Sequence, residues 1–319
     1  MRFHIRSETI DDYNAISEAH ASAFDYGHSI GESALVNALR SRKAFDPELS
    51  LVAELHDEVV GHVLFTPQQA IIRGELVNAV ILAPIAVSPV FQKKGAGTLL
   101  IEEGHRRAKE KGFRFSLLLG HASYYPRFGY RPNMWGSSKV HLAARDIPAL
   151  TKPVKERRIR TADLESLLGM WEKSRGGIDM AFKPERSLTD WISPDKGIQA
   201  SGIEIDGQLC GSIRYRKNNP GSLLSLLAKD TESFAELCAY LKSAILPDSE
   251  SGYLSLPISA ESYELSKLKM DYRTEVSSGP ANMLKILDER SSIAEYCKEV
   301  ASGNLAPGAI DWPVQFDVC

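Results

Sequence analysis

The stretch ILAPIAVSPVFQKKGAGTLL, residues 81–100, carries the most information about the fold. It begins as an apolar strand, passes through a loop that contains Gly95 and Gly97, and opens directly into a helix. Glycine has no Cβ, so the backbone at these two positions is able to turn tightly and to approach a ligand closely. The amides of the first helical turn have no partner within the helix, and the helix dipole favours an anion beside them. Together with Lys93 and Lys94, the loop predicts a site for a phosphate or pyrophosphate group.

Two common phosphate-binding loops do not fit this stretch. A Walker loop needs the string GxxxxGK[ST], which the sequence lacks, and this argues against an ATPase or GTPase. A dinucleotide-binding loop needs GxGxxG and an acidic residue about 20 positions later. Here Leu100 stands at the sixth position, and no acidic residue follows at a strand end. An NAD-dependent enzyme is therefore not expected.

The segments around this stretch predict a mixed α/β unit that extends to about residue 145. Apolar residues at helical spacing alternate with short apolar runs that are typical of strands. We predict strands at residues 3–6, 49–55, 56–65, 79–87 and 113–119. We predict helices at residues 11–24, 31–42 and 98–112.

The second half of the chain repeats parts of the first. IRTADLESLLGMWEKS, residues 159–174, is similar to IRSETIDDYNAISEAH, residues 5–20. A second pair of similar strings is GQLCGSIRY and DEVVGHVLF, which begin at Gly207 and Asp57. Weak repetition at a long period indicates two copies of one fold. We therefore predict three parts: a first domain at 1–145, a Pro- and charge-rich linker at 146–155 and a second domain at 156–319.

The spacing Gln92-x-x-Gly95-x-Gly97 resembles the acetyl-CoA loop of the GNAT N-acetyltransferase superfamily. Its flanks add to the resemblance. The preceding strand reads LxPxAVxP, and the later string YYPRFGY resembles a GNAT signature in which a tyrosine, here Tyr125, lies four residues before the glycine of a Gly-aromatic pair. The resemblance covers the first domain. The matching stretch of the second half, residues 222–241, lacks the loop, so we expect a degenerate copy there that does not hold CoA in the same way.

The resemblance implies an α/β GNAT fold, duplicated in tandem. In this fold two adjacent parallel strands of a mixed central sheet splay apart, and the gap holds the pantetheine arm of CoA. Residues 79–87 and 113–119 would be these strands. The implied function is N-acetylation of an amine, with acetyl-CoA as co-substrate and by direct attack. The residues implied to hold acetyl-CoA are Ile85, Ala86, Val87, Gln92, Lys93, Lys94, Gly95, Ala96, Gly97 and Thr98.

The catalytic residues that we predict are Tyr125, Glu32 and His121. A phenol with a pKa near 10 is protonated at neutral pH, so Tyr125 is suited to protonate the leaving CoA thiolate. The attacking amine must lose a proton, and Glu32 and His121 are the candidate bases. Each also has a structural interpretation: Tyr125 as part of an aromatic cluster with Phe128 and Tyr130, Glu32 as a carboxylate favoured by a helix N-terminus, and His121 as a loop residue.

Composition excludes several other classes of protein. The chain has 319 residues, of which 43% are hydrophobic and 25% charged, so it has enough apolar material for packed cores. The net charge of −3 does not favour nucleic acid or an anionic membrane as a partner. The beginning of the sequence lacks a secretory signal, and the four cysteines form no CxxC pair, so we expect a cytoplasmic protein. His56 and His62 flank a turn but have no third ligand at suitable spacing, so no metal is expected.

Two other functions remain open at this level. The loop also fits a non-catalytic acyl-CoA sensor, and a third possibility is a scaffold in which both copies only bind other proteins. A proton donor at Tyr125 favours the enzyme over the sensor. The acceptor, a small-molecule or peptide amine, has no motif of its own, and a homodimer is possible.

Overall fold

A computed structural model describes residues 1–24, 31–246, 251–266, 268 and 270–318. The strands of the first half are β1 (His4–Ser7), β2 (Ser50–Leu55), β3 (Glu58–Ile72), β4 (Glu75–Val87), β5 (Phe115–Leu119) and β6 (Trp135–Ala143). Those of the second half are β7 (Val154–Arg158), β8 (Met180–Lys183), β9 (Ile198–Ile205), β10 (Gln208–Arg216), β11 (Asn219–Ala228), β12 (Tyr253–Leu256), β13 (Tyr272–Ser278), β14 (Asn282–Ile286) and β15 (Gly308–Ala309). The α-helices are α1 (Tyr13–Ala23), α2 (Gly31–Arg40), α3 (Ala96–Glu110), α4 (Leu164–Arg175), α5 (Thr231–Ile245), α6 (Tyr263–Ser266) and α7 (Ser292–Ala301).

Within the described ranges these strands form three sheets. The largest has the order β1-β2-β3-β4-β5-β14, with β8 paired to the far end of β3. A second sheet has the order β11-β10-β9-β7, and a third the order β12-β6-β13, with β15 beside β6. β4 and β5 are parallel, whereas the other neighbours in the largest sheet are antiparallel. The largest sheet is therefore mixed, as the sequence predicted.

The parallel strands β4 and β5 separate partway along their length. They pair from Ala79 with Phe115 to Ile81 with Leu117 and then diverge. On the other side of β4, a register shift in the ladder with β3 lies between the pairs Phe65–Leu82 and Val63–Ile85. Such a bulge bends the strand. Pro84, within the shift, has no N–H to donate to a neighbouring strand. The end of β4 therefore leaves β5 and opens a gap beside the start of α3.

Helix α3 packs closely on this sheet. Its residues Leu100 and Ile101 are buried against the core. Gly104 lies so close to β3 that a Cβ at this position would stand 1.9 Å from the ring of Phe65. A larger residue at Gly104 would push the helix away from the sheet, and this close approach fixes where the N-terminus of α3 points.

Strands cross between the two halves of the chain. β6 precedes the predicted linker but pairs with β12 and β13 of the second half, and β14 of the second half pairs with β5. Arg42, buried in the first half, donates to the carboxylate of Asp190 with its Nε at 3.2 Å and its Nη2 at 3.1 Å. The division at 146–155 stays a prediction, and each half completes a sheet of the other.

Both halves contain the same arrangement of ion pairs beside their first strand. Arg6 donates from Nη1 and Nη2 to Asp12 at 2.7 and 2.8 Å, and from Nε to Glu54 at 2.8 Å. The second half has this arrangement with its own residues, at 2.7, 2.8 and 3.1 Å: Arg157, Asp163 and Glu204. The arginine and the aspartate are six positions apart in both cases. The repetition noticed in the sequence therefore corresponds to matching contacts in space.

Three histidines of the first half are buried and belong to hydrogen-bond networks. His20 Nε2 and His62 Nδ1 are 2.8 Å apart, and Ser50 Oγ lies 2.8 Å from His62 Nε2. His105 Nε2 lies 2.9 Å from the hydroxyl of Tyr130. Burial lowers the pKa of His20 to about 2 and that of His105 to about 3, and burial also lowers the pKa of His62. All three are therefore neutral in the folded chain at physiological pH.

We expect the free energy of unfolding to fall as the pH drops below about 6.5, the ordinary pKa of histidine. The unfolded chain then binds protons at these histidines and the folded chain does not, so acid favours unfolding. Each histidine contributes up to about 1.4 kcal/mol per pH unit. Between about pH 7.5 and about pH 5.5, the free energy of urea unfolding should fall by up to about 4 kcal/mol for the three histidines together. The control variant His105→Gln removes one titrating group, so its stability should depend less on pH. Equal stability of the original chain at both pH values would contradict the assignment of these histidines as neutral.

Candidate active site

A cavity of about 1330 Å³ lies at the gap between β4 and β5 and extends to the second half of the chain. Most of the residues that the sequence singled out line this cavity. They are Glu32, Ile85, Ala86, Val87, Gln92, Lys93, Gly95, Gly97, Thr98, His121 and Tyr125. The two other predicted residues, Lys94 and Ala96, are not among its lining residues. The fold therefore brings the predicted loop and the predicted catalytic side chains to one space.

The loop before α3 leaves the helix N-terminus open. Gly95 is the N-cap residue with a φ of 99°, a left-handed conformation that glycine adopts without strain. The first amide with a helical partner is that of Leu99, which donates to the carbonyl of Gly95 at 3.1 Å. No side chain of the described residues caps this end. The amides of Ala96, Gly97 and Thr98 have no preceding helical turn to donate to, and they remain available to a ligand.

Gly97 keeps the space in front of these amides open. A Cβ at Gly97 would lie 3.1 Å from the hydroxyl of Tyr124 and 3.7 Å from the side chain of Val87. A larger side chain would therefore fill the region between the loop, β4 and Tyr124. This is the physical reason for the second glycine of the motif.

Gln92 and Lys94 contact the loop itself. Gln92 donates from Nε2 to the carbonyl of Val87 at 3.1 Å, which ties the loop to the end of β4. Lys94 donates from Nζ to the carbonyl of Val90 at 2.7 Å. Lys93, with a φ of 60°, lines the cavity and adds positive charge near the open helix end. Gln92 and Lys94 therefore hold the loop in shape through hydrogen bonds to its backbone. Of the two lysines, Lys93 is the one that lines the cavity.

The end of β4 offers backbone groups to the gap. The amide of Ser88 donates to the carbonyl of Val60 on β3 at 2.9 Å. Because successive backbone groups of a strand point to opposite sides, the N–H and C=O of Val87 and of Ile85 point away from β3 and towards the gap. Those of Ala86 point to β3, where Ala86 pairs with His62.

Tyr125 lies between the aromatic cluster and the cavity. Its ring makes edge contacts with the rings of Tyr124 and Tyr130, at centroid distances of 5.1 and 5.9 Å. It also packs on Gly120, where a Cβ would stand 2.3 Å from the ring. Phe128 and Tyr130 are buried members of the same cluster. Tyr125 is only half-buried and lines the cavity, so the cluster fixes its ring while one edge faces the gap.

Glu32 and His121 line the cavity from different elements of the fold. Glu32 is in the first turn of α2. His121 follows the end of β5 on an exposed turn, and its carbonyl accepts from the amides of Tyr124 and Tyr125 at 3.0 and 3.4 Å. Both therefore line the space that Tyr125 lines, and the choice of base stays a prediction.

Arg127 is a cavity residue that the sequence analysis did not assign. Its guanidinium lies 4.0 Å from the ring centre of Tyr124 and 4.7 Å from that of Phe128. Its Nη2 lies 3.5 Å from the hydroxyl of Thr98, in the first turn of α3. The signal was present as the arginine of YYPRFGY. The guanidinium of Arg127 is therefore a second cation beside the open N-terminus of α3, and it stacks on the ring of Tyr124.

The second half contributes a wall of the cavity that has no motif. Its charged lining residues are Arg175, Arg214, Arg216, Asp311 and Asp317, and Trp312 and Phe316 are aromatic residues of the same wall. Arg175 donates from Nη2 to Asp311 at 3.0 Å. These residues come from α4, β10 and the C-terminal tail, which are far apart in the sequence, and this explains why no local pattern reveals them.

The stretch of the second half that we matched to the loop in sequence, residues 222–241, leads into a different helix end. Helix α5 begins after Asp230, whose carboxylate accepts from the amide of Ser233 at 2.8 Å. A carboxylate at this position satisfies one helix amide and repels an anion. The matching position before α3 is Gly95, which has no side chain.

Comparisons with known proteins indicate one family for the first part of the chain. A family model described as an acetyltransferase (GNAT) domain matches residues 4–133. The uncharacterized N-acetyltransferase YjhQ of Escherichia coli (strain K12) is 38% identical over 132 residues, which are 41% of this chain and 69% of that protein. The chain belongs to the GNAT acetyltransferase family.

Solved structures extend the likeness in fold to most of the chain. A GCN5-related N-acetyltransferase from Kribbella flavida has a TM-score of 0.66 at 16% identity, over 90% of this chain and 71% of that one. Another from Anabaena variabilis has a TM-score of 0.66 at 13% identity, over 90% of this chain and 73% of that one. The predicted fold class, a GNAT fold with a mixed sheet and splayed parallel strands, is confirmed. No helix in the described part of the chain is long and apolar enough to cross a membrane.

Proposed function

We propose that this chain transfers an acetyl group from acetyl-CoA to an amine by direct attack within a ternary complex. The observation that carries the proposal is the open N-terminus of α3, which faces the gap between β4 and β5 in the cavity that Tyr125 lines. An uncapped helix end with two nearby cations, Lys93 and Arg127, favours a diphosphate. The gap beside it has the form of a slot for an extended arm.

The pantetheine arm of CoA would add to the edge of β4 in the manner of a strand. Its amides would pair with the backbone of Ile85 and Val87, which point away from β3. The backbone groups of Ala86 point to β3, so Ala86 would lie beside the arm without pairing with its amides. The diphosphate would accept from the amides of Ala96, Gly97 and Thr98. The thioester would then lie at the inner end of the arm, near the end of β5.

The transfer itself needs one proton removed and one supplied. The neutral amine attacks the thioester carbonyl, a C–N bond forms, and the carbonyl oxygen becomes an oxyanion. The amide of Ile85, the inner of the two residues whose backbone groups face the gap, would stabilise this oxyanion, because Val87 lies beside Gly97 at the diphosphate end. The C–S bond then breaks, and the CoA thiolate takes a proton from the hydroxyl of Tyr125. Glu32 or His121 would accept the proton of the amine, directly or through water.

We propose that the second half is a degenerate copy that shapes the acceptor side of the cavity. The matching ion pairs of Arg6 and Arg157 support the common origin of the halves. Asp230 at the start of α5 disfavours a second diphosphate, because it already accepts from a helix amide and carries negative charge. One CoA is therefore expected per chain.

A calorimetric titration with CoA, followed by a thiol-release assay, tests this function. We expect CoA to bind with one site per chain, and we expect free thiol to appear from acetyl-CoA when an amine is added. Binding also raises the melting temperature, since a ligand that prefers the folded chain stabilises it. Binding without amine-dependent release across a broad amine panel would support a sensor instead. Absence of binding would contradict both.

A further inference from the structure

Arg214 on β10 is a buried arginine without a hydrogen-bonding partner. It is 7% exposed, and its Nε is sealed from solvent with no acceptor. Its charged neighbour is Asp317, whose Oδ2 lies 3.7 Å from Nη1, too far for a hydrogen bond. The guanidinium makes no hydrogen bond to any residue that the structure describes. Arg214 is one of the residues that line the large cavity.

Other buried arginines of this chain are satisfied by their surroundings. Arg42 makes a two-pronged contact with Asp190 at 3.2 and 3.1 Å. Arg175, in the same cavity wall as Arg214, donates to Ser174 at 2.8 Å and to Asp311 at 3.0 Å. Arg214 therefore differs from arginines whose role is to hold the fold together.

A buried guanidinium with unused donors is costly unless something accepts from it. Its N–H groups form a planar fork, and the group that matches this fork is a carboxylate or a phosphate. The charge of the surrounding wall is consistent with an anion. Asp311 is already paired with Arg175, whereas Arg216 and Lys139 add positive charge to the lining. Asp317 lies 3.7 Å from the guanidinium of Arg214, and burial raises the pKa of its carboxyl group.

We propose that Arg214 binds an oxyanion of the acceptor, so that the amine substrate also carries a carboxylate or a phosphate group. The proposal rests on the proposed function, because the cavity that Arg214 lines is the one that the CoA loop and Tyr125 line. The CoA loop and Arg214 belong to different halves of the chain, so the second half would select the acceptor while the first half binds the acetyl donor. A substrate anion would accept from the Nη groups that lack a hydrogen bond.

Matched acceptor pairs test this assignment on the full chain. Glycine is compared with glycinamide, and phosphoethanolamine with ethanolamine, each with saturating acetyl-CoA. We expect kcat/KM to be at least about 10-fold higher for the anionic member of one pair. A preference within the glycine pair would indicate a carboxylate, and a preference within the ethanolamine pair would indicate a phosphate. Equal use of both members of both pairs, or a preference for the neutral amines, would overturn the proposal.

The variant Arg214→Gln separates substrate binding from a structural role. We expect KM for the preferred anionic acceptor to rise about 10- to 100-fold, with KM for acetyl-CoA and kcat/KM for the neutral partner unchanged. Arg214→Lys keeps the charge without the planar fork and should raise KM less. The matched control is Lys217→Gln, just beyond β10, because Lys217 contacts the carbonyl of Lys196 outside this cavity. An equal loss for anionic and neutral acceptors would show that Arg214 only stabilises the fold.

A binding measurement keeps this inference separate from the catalytic proposal. N-acetylglycine and inorganic phosphate are titrated into the chain with CoA present, and the melting temperature is followed. We expect one of these probes to raise the melting temperature of the original chain and not that of Arg214→Gln. This result would support the anion site even if no amine in the panel were acetylated. No shift with either probe would contradict the anion site, whatever the outcome for CoA.

Discussion

Replacing Tyr125 with phenylalanine is expected to lower kcat about 100-fold or more while the affinity for CoA stays within about twofold. The phenylalanine ring keeps the edge contacts with Tyr124 and Tyr130, so the aromatic cluster and the gap retain their shape. Only the hydroxyl is lost, and with it the proton for the leaving thiolate. Steady-state kinetics of thiol release, with CoA affinity from calorimetry, measure the two quantities separately.

Tyr124→Phe is the matched control for this prediction. Tyr124 belongs to the same cluster, and its hydroxyl lies near Gly97 at the diphosphate end of the cavity. Its removal should therefore affect CoA affinity more than kcat. If Tyr125→Phe kept full turnover, or if both variants lost turnover equally, Tyr125 would not be the proton donor.

Replacing Gly97 with leucine is expected to weaken CoA binding by about 100-fold or more. A Cβ at this position already comes within 3.1 Å of the Tyr124 hydroxyl, so the remaining leucine atoms must occupy the space in front of the helix amides. The backbone of Gly97 has an ordinary negative φ, so the substitution does not strain the helix as it would at Gly95. Calorimetric titration with CoA measures the loss.

The matched control for Gly97→Leu is Gly169→Leu in α4. Gly169 is exposed, has an ordinary φ and has no atom within 4 Å of where its Cβ would lie. We expect this variant to bind CoA like the original chain, and circular dichroism should show both variants folded. Retained CoA affinity in Gly97→Leu would remove the helix end from the proposed site.

The loop before α3 was predictable from the sequence because its constraints are local. Position 95 has a left-handed φ, and position 97 must leave the space beside Tyr124 and Val87 open. Both positions therefore favour glycine, and both lie at a fixed distance from the start of α3. The strand before the loop and the buried strand after α3 follow from their apolar runs. The residues that line the CoA side of the cavity are therefore close together in sequence, and a short string reveals them.

The acceptor side was not predictable because its residues meet only in the folded chain. Arg214 lies on β10, whereas Asp311 and Asp317 lie near the C-terminus, about 100 residues away in the sequence. The exchange of β6 and β14 between the halves was also missed, since a strand pattern shows that a strand exists but not which sheet it joins. The sequence showed that the second half lacks the loop. That Asp230 caps α5 became known only from the structure. Predicted bounds were least accurate where strands continue past the apolar run, as β3 does to Ile72.

A crystal structure of the chain with CoA tests the central claim most directly. We predict that oxygens of the diphosphate lie at about 3 Å from the amide nitrogens of Ala96, Gly97 and Thr98, with the arm along the edge of β4 at Ile85 and Val87. A coenzyme bound elsewhere in the cavity, with these amides facing water or a protein side chain, would contradict the account.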